Sequence, residues 1–550
     1  MDYENMTKEE LIDYINNLSE ELNGKYGLVW DKEREAEKIV VECDKYIPIL
    51  IESKEKNIDN GEVNNLLING DNFHSLSVLN YTHNESIDMI YIDPPYNTGN
   101  KDFTYNDKYV DAEDGYRHSK WLNFMEKRLK LARNLLKKSG VIYISIDDHE
   151  FATLKLLCDK IFGERNFITN FIWNKKNGRQ NDSKFVSTNT EYVICYAKNI
   201  EEASFNLLPR TDELNSSYKN PDNDPRGPWT TTKLDAKSGS PNSLKSFVFP
   251  NGVEWKPTTG RFSAYSRETL QRLYDENRIW FGEKGTNVPR VKKFLSEVKQ
   301  GLVPNTLLLN TEVGTSQKAK EDYKKCLPNV EFDNPKPIDL IKTFLLLSTN
   351  ENSIVLDFFA GSGTTGQAVV ELNNEDLGKR KFILCTNNEN NICDNITYQR
   401  MKTVITGKRS DNSLYSDGLS TNLKYYKTEF VDYKGTRDQL YYDLTEKCIP
   451  MLCIKSDTYE LVEKNKEFAI YSNADKTEYS CVYYDIFGES YDMFIDKVKE
   501  IKEHKNLYIF SLSEYVNEDN FKGISNYNIE PIPYKILDLY KNVVKMSKEN

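Results

Sequence analysis

The sequence predicts an α/β protein: a parallel sheet with helices on both faces, broken by an insertion of different character and followed by a smaller α/β domain. Three observations carry this reading. Short apolar runs alternate with amphipathic helical stretches, a rhythm that builds parallel sheets. Two of the runs stop at distinctive turns, Asp93-Pro94-Pro95-Tyr96 and Ala360-Gly361-Ser362-Gly363, at strand ends where such sheets hold ligands. Between them, residues 201–332 lose the alternation and become rich in Pro, Gly, Ser, Asn and Arg.

Taken in order, residues 1–60 read as a charged helical segment, with Leu11, Ile15 and Leu18 at helical spacing. The sheet-forming half spans 61–200. Leu66-Leu67-Ile68 ends in a Gly-Asp turn at Asp71, and Ile87–Ile92 must stop at Asp93 because two prolines cannot continue a central ladder. Trp121, Met125, Leu129, Ala132 and Leu136 share one helical face. Gly140 is expected to close that helix, with strands at 141–146 and 167–174 and a helix at about 149–161. The rhythm returns at 333–410: a helix over 337–348, the strand Ser353–Phe359, a Gly-rich turn, a helix, and the strand Lys381–Cys385. Residues 411–550 alternate short aromatic strands with helices and read as a separate small domain.

Length and composition set the outer limits. A chain of 550 residues exceeds a single core and predicts three or four domains. No run approaches the roughly 18 apolar residues of a membrane span, and the start has no basic, apolar leader, so a cytoplasmic location is expected. Nine scattered cysteines without a C-x-x-C pair point to reduced, mostly buried thiols. The five histidines show no metal-binding spacing, so no metal is expected. The net charge of −12 is unevenly spread: residues 226–300 hold 14 Lys/Arg against 7 Asp/Glu, and residues 411–550 hold 18 against 25. Such asymmetry separates tasks.

The chemistry concentrates in the two turns. Asp93-Pro94-Pro95-Tyr96 joins a carboxylate, two rigid prolines and an aromatic ring at one strand end. That set suits an amino group: the carboxylate and a Pro-Pro carbonyl accept its two N–H bonds while the ring stacks on the attached base. At Gly361 and Gly363 the backbone is open to close approach, and the following helix offers unpaired N–H groups to an anion or carboxylate. The turn lacks the full G-x-G-x-x-G spacing and has no Walker lysine. No cysteine stands in a Pro-Cys nucleophile motif, so a covalent carbon-methylation route has no candidate.

Together the two motifs resemble those of S-adenosylmethionine-dependent amino-methyltransferases of DNA. Asp93–Tyr96 is similar to their catalytic D-P-P-Y motif, and Asp357–Thr364 to their cofactor loop. The order, catalytic motif first, is that of the permuted β group. The run Tyr91–Phe103, with Leu67–Asn72 and Tyr26–Trp30, resembles more narrowly the Mod subunits of type III restriction–modification systems; Thr190-Glu191-Tyr192 departs from the His-Glu-Tyr frequent there. The resemblance implies a Rossmann-like methyltransferase sheet and transfer of a methyl group to adenine N6 of a base flipped from duplex DNA. Asp93, Pro94, Pro95 and Tyr96 would be catalytic. Asp357, Phe359, Gly361, Gly363 and Thr364 would hold the methionine part of S-adenosylmethionine, and Glu389 its ribose. Asp71, Asn97 and Lys336 are further candidates for the cofactor. Residues 201–332 would recognise the target sequence, with Arg261, Arg267, Arg272, Arg278, Arg290, Lys292 and Lys293 as candidate DNA contacts. Residues 411–550 would serve association, as a homodimer or with a helicase–nuclease restriction subunit. The alternatives are a solitary adenine or cytosine-N4 methyltransferase and an inactive DNA-binding scaffold.

Overall fold

The computed structural model describes residues 28, 30, 31, 37–43, 45–100, 102–178, 183–240, 242–432, 437–485 and 490–548. The helical positions Leu11, Ile15 and Leu18, and Tyr26-Gly27, lie outside the described residues.

A ten-stranded mixed sheet organises the larger of two units, residues 1–206 with 305–550. Its strands, in chain order, are β1 (Tyr46–Glu52), β2 (Asn64–Asn69), β3 (Ile87–Ile92), β4 (Leu136–Ile146), β5 (Phe167–Asn174), β6 (Thr190–Ala197), β7 (Leu307–Leu308), β8 (Ile354–Asp357), β9 (Lys381–Thr386) and β10 (Asn422–Asp432). The spatial order is β1-β10-β2-β9-β8-β3-β4-β6-β5-β7. From β10 through β4 every pairing is parallel. β6 runs antiparallel to both β4 and β5, and β1 antiparallel to β10. Near-continuous apolar runs in β2, β3, β8 and β9 are what a sheet buried on both faces requires.

The helices over it include α1 (Asn72–Thr82), α2 (Arg117–Leu135), α3 (Phe151–Phe162), α4 (Ile338–Ser348), α5 (Thr364–Asp376) and α6 (Tyr398–Thr406). The face predicted for α2 is the buried one: Trp121, Met125, Leu129 and Ala132 are fully covered. Gly140 does not end this helix. α2 stops at Leu135 and the chain enters β4 at once. Gly140 sits within the strand beside a register shift against β3, where a Cβ would come within 2.9 Å of the Ile87 carbonyl oxygen.

Three expected boundaries move. The segment 1–60 is not all helix, because Tyr46–Glu52 is an edge strand of the main sheet. The inserted unit is Leu207–Pro304, shorter than 201–332, and residues 305–332 return to the larger unit, with β7 pairing along β5. Residues 411–550 do not separate either, so the chain forms two units rather than three or four. β10 lies between β1 and β2. Beyond it, α7 (Ile449–Ser456) and α9 (Tyr534–Lys548) share the main core. β11 (Glu460–Lys464), β12 (Phe468–Ser472), β13 (Glu478–Tyr483), β14 (His504–Ser511) and β15 (Tyr527–Pro533) form a second sheet in sequential order. Its aromatic strands supply a core with α8 (Tyr491–Glu500), as their composition predicts. The nine cysteines are free, and all but the half-buried Cys43 are buried.

The smaller unit has its own core around Phe247, Phe249, Trp255, Leu270, Phe281 and Val291. A buried ion cluster stiffens it: Lys292 pairs with Asp222 and, at 3.1 Å, with Asp224, which also takes a two-pronged bond from Arg226.

In the larger unit, the fully buried Arg128 of α2 ties three segments together. It bonds Glu37 at 2.8 Å, the Asn72 side chain and the Asp71 carboxylate at 3.4 Å, and it lies 3.6 Å from the Phe124 ring centre. Arg128→Met leaves Glu37 buried without its main cation, so it is expected to destabilise the chain by about 3–5 kcal/mol, read as a lower midpoint in denaturant unfolding.

Candidate active site

Strands β8 and β3 are neighbours, and the chain leaves them in opposite directions: from β8 through α5 to β9, and from β3 through α2 to β4. Such a switch point opens a crevice at the carboxyl ends of the strands. Asp357 ends β8, and Asp93 follows the last residue of β3. The two expected motifs therefore meet at one mouth.

On the β3 side, Asp93 and Tyr96 are half-buried and belong to a five-residue cluster with Lys336, Glu191 and Lys175. Lys336 Nζ donates to both Asp93 oxygens, at 2.8 and 2.7 Å, and to Tyr96 Oη at 3.0 Å. Tyr96 Oη lies 2.9 Å from Asp93 and 3.2 Å from Glu191, and its single proton can be donated to either. Glu191 lies 3.6 Å from Lys336 and 2.9 Å from Lys175. Burial raises the Asp93 carboxyl, and Lys336 opposes it. Burial works against the charge on Lys336, yet Asp93 and Glu191 hold its pKa above the usual lysine value. For Glu191, Lys336 and Lys175 outweigh burial and keep the carboxyl low. Two carboxyl groups, Asp93 and Glu191, thus face two lysines, Lys336 and Lys175, in one cluster. Trp121 Nε1 donates to the Pro95 carbonyl at 2.7 Å and pins the proline pair.

On the β8 side, the Asp357 carboxylate accepts from Thr365 Oγ1 at 2.6 Å and from the Phe359 N–H at 3.0 Å. Burial pushes it up to about 7 against those two bonds. Gly361 and Gly363 both take left-handed backbone angles, φ +48° and +77°, which glycine adopts without penalty. Behind the turn, Thr397 Oγ1 donates to the Gly361 carbonyl at 2.6 Å. The fully buried Arg400 bonds Ser362 Oγ at 3.1 Å, Thr364 Oγ1 at 3.0 Å and Gln367 at 2.8 Å.

The remaining candidates divide. Glu389 opens a short turn just after β9, exposed at the same sheet edge. Asp71 caps α1, accepting from the Phe73 N–H at 2.7 Å, and also faces Arg128; its side chain has a structural task. Lys336 lies against Asp93 and Tyr96, on the catalytic motif rather than beside the cofactor turn. Asn97 is fully buried, with its amide donating to Glu150 and to the Arg117 carbonyl, and these bonds hold the loop. In the smaller unit, Lys292 is buried in its acidic cluster and is no DNA contact. Arg261 pairs with Asp235 and Arg278 with Glu297. Arg290 donates to Thr231. Arg267, Arg272 and Lys293 are exposed.

Sequence reasoning missed Glu191 as a site residue and Arg400 altogether. Glu191 had a signal, the polar triplet opening a strand; Arg400 had none.

The family described as DNA methylase, N6_N4_Mtase, matches residues 87–399, from the first residue of β3 into α6. The chain belongs to the DNA methylase family. It is 34% identical over 423 residues to the type III restriction-modification enzyme StyLTI Mod subunit of Salmonella typhimurium, covering 70% of this chain and 63% of that one. It is 31% identical over 389 residues to the EcoP15I Mod subunit of Escherichia coli, covering 59% and 58%. The type II methyltransferase M.KpnI of Klebsiella pneumoniae is 32% identical, covering 66% of this chain and 88% of that protein. The chain thus spans about three-fifths of the length of those two Mod subunits. Among solved structures, the PvuII cytosine-N4-specific DNA methyltransferase aligns with TM-score 0.32 and 14% identity, over 60% of this chain and 85% of that one.

Between the ordinary carboxylate range and about pH 7, the folded protein keeps a proton on Asp357 that the unfolded chain has lost. Its contribution to stability therefore declines as pH rises through that window. Asp357→Asn cannot ionise, so its melting temperature relative to the parent is expected to rise between about pH 5 and about pH 8. Thermal unfolding across pH checks this.

Proposed function

We propose that this protein transfers a methyl group from S-adenosylmethionine to an exocyclic amine of DNA, adenine N6 by the Asp-initiated motif, as the modification subunit of a type III system. The observation that carries the reading is the meeting of Asp93–Tyr96 and Asp357–Thr364 at one switch point, inside the residues that match the DNA methylase family.

The β8 side suits the cofactor. Its turn carries no side chain at Gly361 or Gly363, and a Cβ at Gly361 would crowd Phe332 at 3.3 Å. The start of α5 offers N–H groups to a carboxylate. Asp357 is a buried acid that gains by ionising beside an amino group, and Glu389 stands one strand away for ribose hydroxyls. S-adenosylmethionine, when bound, supplies an electrophilic methyl group.

The β3 side suits the amine. Asp93 Oδ accepts one N–H and the Pro94 carbonyl the other, while the Tyr96 ring stacks on the flipped base, worth about 1–3 kcal/mol. In the free protein, Lys336 sits where the amine would donate to Asp93. When the amine displaces it, Glu191 is the anion that receives it. Positive charge developing on the nitrogen then faces the Asp93 carboxyl, an acceptor already in place at the moment of transfer.

The exposed Arg267, Arg272 and Lys293 of the smaller unit are proposed to contact phosphate. Its name as a target-recognition domain rests on its basic balance and its place between the motifs. A homodimer and a helicase–nuclease partner follow from likeness to the Mod subunits. A chain cut near residue 410 does not test association, because it removes the inner strand β10.

Two outcomes check the proposal. Asp93→Ala is expected to abolish incorporation of labelled methyl groups into DNA while changing S-adenosylmethionine affinity by less than about threefold, since uniform binding is untouched; near-parental turnover contradicts the role of Asp93. Removing charge at Arg267, Arg272 and Lys293 is expected to flatten the log–log salt dependence of DNA binding by about 0.9 for each phosphate that is no longer neutralised. An unchanged slope places these side chains away from DNA.

A further inference from the structure

Beyond Lys175 at its base, the loop from β5 to β6, residues 175–189, has no role in the chemistry above. β5 runs parallel to β3, so this loop leaves the sheet at the edge that carries Asp93. Its base is wired into the site: the Lys175 N–H donates to the Asn189 carbonyl at 2.9 Å, Lys175 Nζ pairs with Glu191 at 2.9 Å, and Glu191 lies 3.2 Å from Tyr96 Oη. Farther out, Phe185 is 85% exposed and its neighbour Val186 80%. Lys184 lies 5.2 Å from the Phe185 ring centre. By sequence the loop carries Lys175, Lys176, Arg179 and Lys184 against a single acid, Asp182, a net charge of +3. Phe185 is four positions before Asn189, so it stands within about 14 Å of the base of the loop along the chain.

An exposed apolar pair in a basic loop, tethered beside a pocket proposed to take a flipped base, matches one occupant. Duplex DNA presents phosphates to the lysines and, at an opened step, a stacked apolar interior to the ring; wedges of Phe, Leu, Ile or Met enter duplexes in this way. We propose that Phe185 and Val186 are a wedge that enters the duplex at the target position and fills the gap left by the extruded base, with Lys176 and Lys184 on flanking phosphates. The inference rests on the reading of the protein as a DNA methyltransferase that flips its base. The wedge also explains why two large apolar side chains stand in solvent here, whereas the apolar residues that flank the loop in β5 and β6, Trp173 and Val193, are buried.

The test is equilibrium binding of the full chain to two labelled duplexes of the same sequence, one fully paired and one with a single central abasic site. A wedge binds the abasic duplex more tightly, by about tenfold, because no stacking has to be broken. The double change Phe185→Ala with Val186→Ala is expected to abolish that preference while altering affinity for the paired duplex less than about twofold, since phosphate contacts carry non-specific binding. Phe185→Leu is expected to keep most of the preference. Circular dichroism of the variants guards against misfolding, to which two exposed side chains contribute little. A parental chain without the preference, or a double variant that retains it, overturns the wedge. A double variant whose oligomeric mass changes instead assigns the pair to a protein contact and also overturns it. Failure of the methyltransferase reading shows separately, as absence of methyl incorporation into genomic DNA by the parental chain, because the abasic preference needs no turnover.

Discussion

The hydrogen-bonded pairing of β8 with β3 is the constraint on which the site depends. The two strands lie far apart in sequence, yet Val355 pairs with Met89 and Leu356 with Ile90. Because the pairing is parallel, both strands deliver their carboxyl ends to one edge, and because the chain departs from them in opposite directions, no crossover helix covers the gap between. The order in which the motifs occur along the chain is then immaterial to where they meet. Permutation and insertion are tolerated for the same reason. The inserted unit leaves after Asn206 and the chain returns at Asn305, with the Thr306 carbonyl accepting from Ile172 in β5, so the ladder through the site is never interrupted.

Holding an ammonium inside that mouth is costly unless anions surround it. Lys336 meets the condition with Asp93 and Glu191, one from the end of β3 and one from β6. It is also delivered by a stiff segment: Pro335 and Pro337 flank it, and Pro337 stands at the start of α4. Fixed backbone angles at both neighbours lower the entropy lost in placing a flexible side chain. The arrangement suits a group that leaves and returns to one position. A second anion 3.6 Å away gives Lys336 an alternative that remains in the protein interior.

Much of this was legible in the sequence because its cause is local. A proline pair ends a strand wherever it falls, and glycines with left-handed angles mark a tight strand–helix turn; both motifs are readable from residue type alone. The apolar face of α2 is readable for the same reason. What escaped reading was set by pairings between distant segments. Nothing in the periodicity of 411–550 shows that Asn422–Asp432 slots between β1 and β2, which is why that region looks like a separate domain. Lys336 looks like a cofactor neighbour until the fold brings it to Asp93. The basic balance of 226–300 is real, but its count conceals pairing: Lys292 serves a buried acidic cluster, and Arg261 and Arg278 serve nearby carboxylates. Net charge reports how many cations a segment carries, and says nothing about how many are already spoken for.

The same cluster bears on which base the pocket accepts. An exocyclic amine has two N–H bonds and needs two acceptors. Trp121 takes up the Pro95 carbonyl, so in the proposed mode the Pro94 carbonyl and Asp93 are the pair that remains. A thymine O4 or guanine O6 presented to them would meet acceptors only, leaving each unpaired at a cost of about 1–3 kcal/mol. That discrimination holds only while Lys336 is withdrawn, since an ammonium at Asp93 would offer a carbonyl the donor it lacks. Glu191 thus does more than balance charge. In the proposed mode, retaining Lys336 once the amine has entered would keep the mouth of the site a surface of acceptors, making selectivity for amino bases a property of the ion pair as much as of the Asp-Pro-Pro-Tyr turn itself.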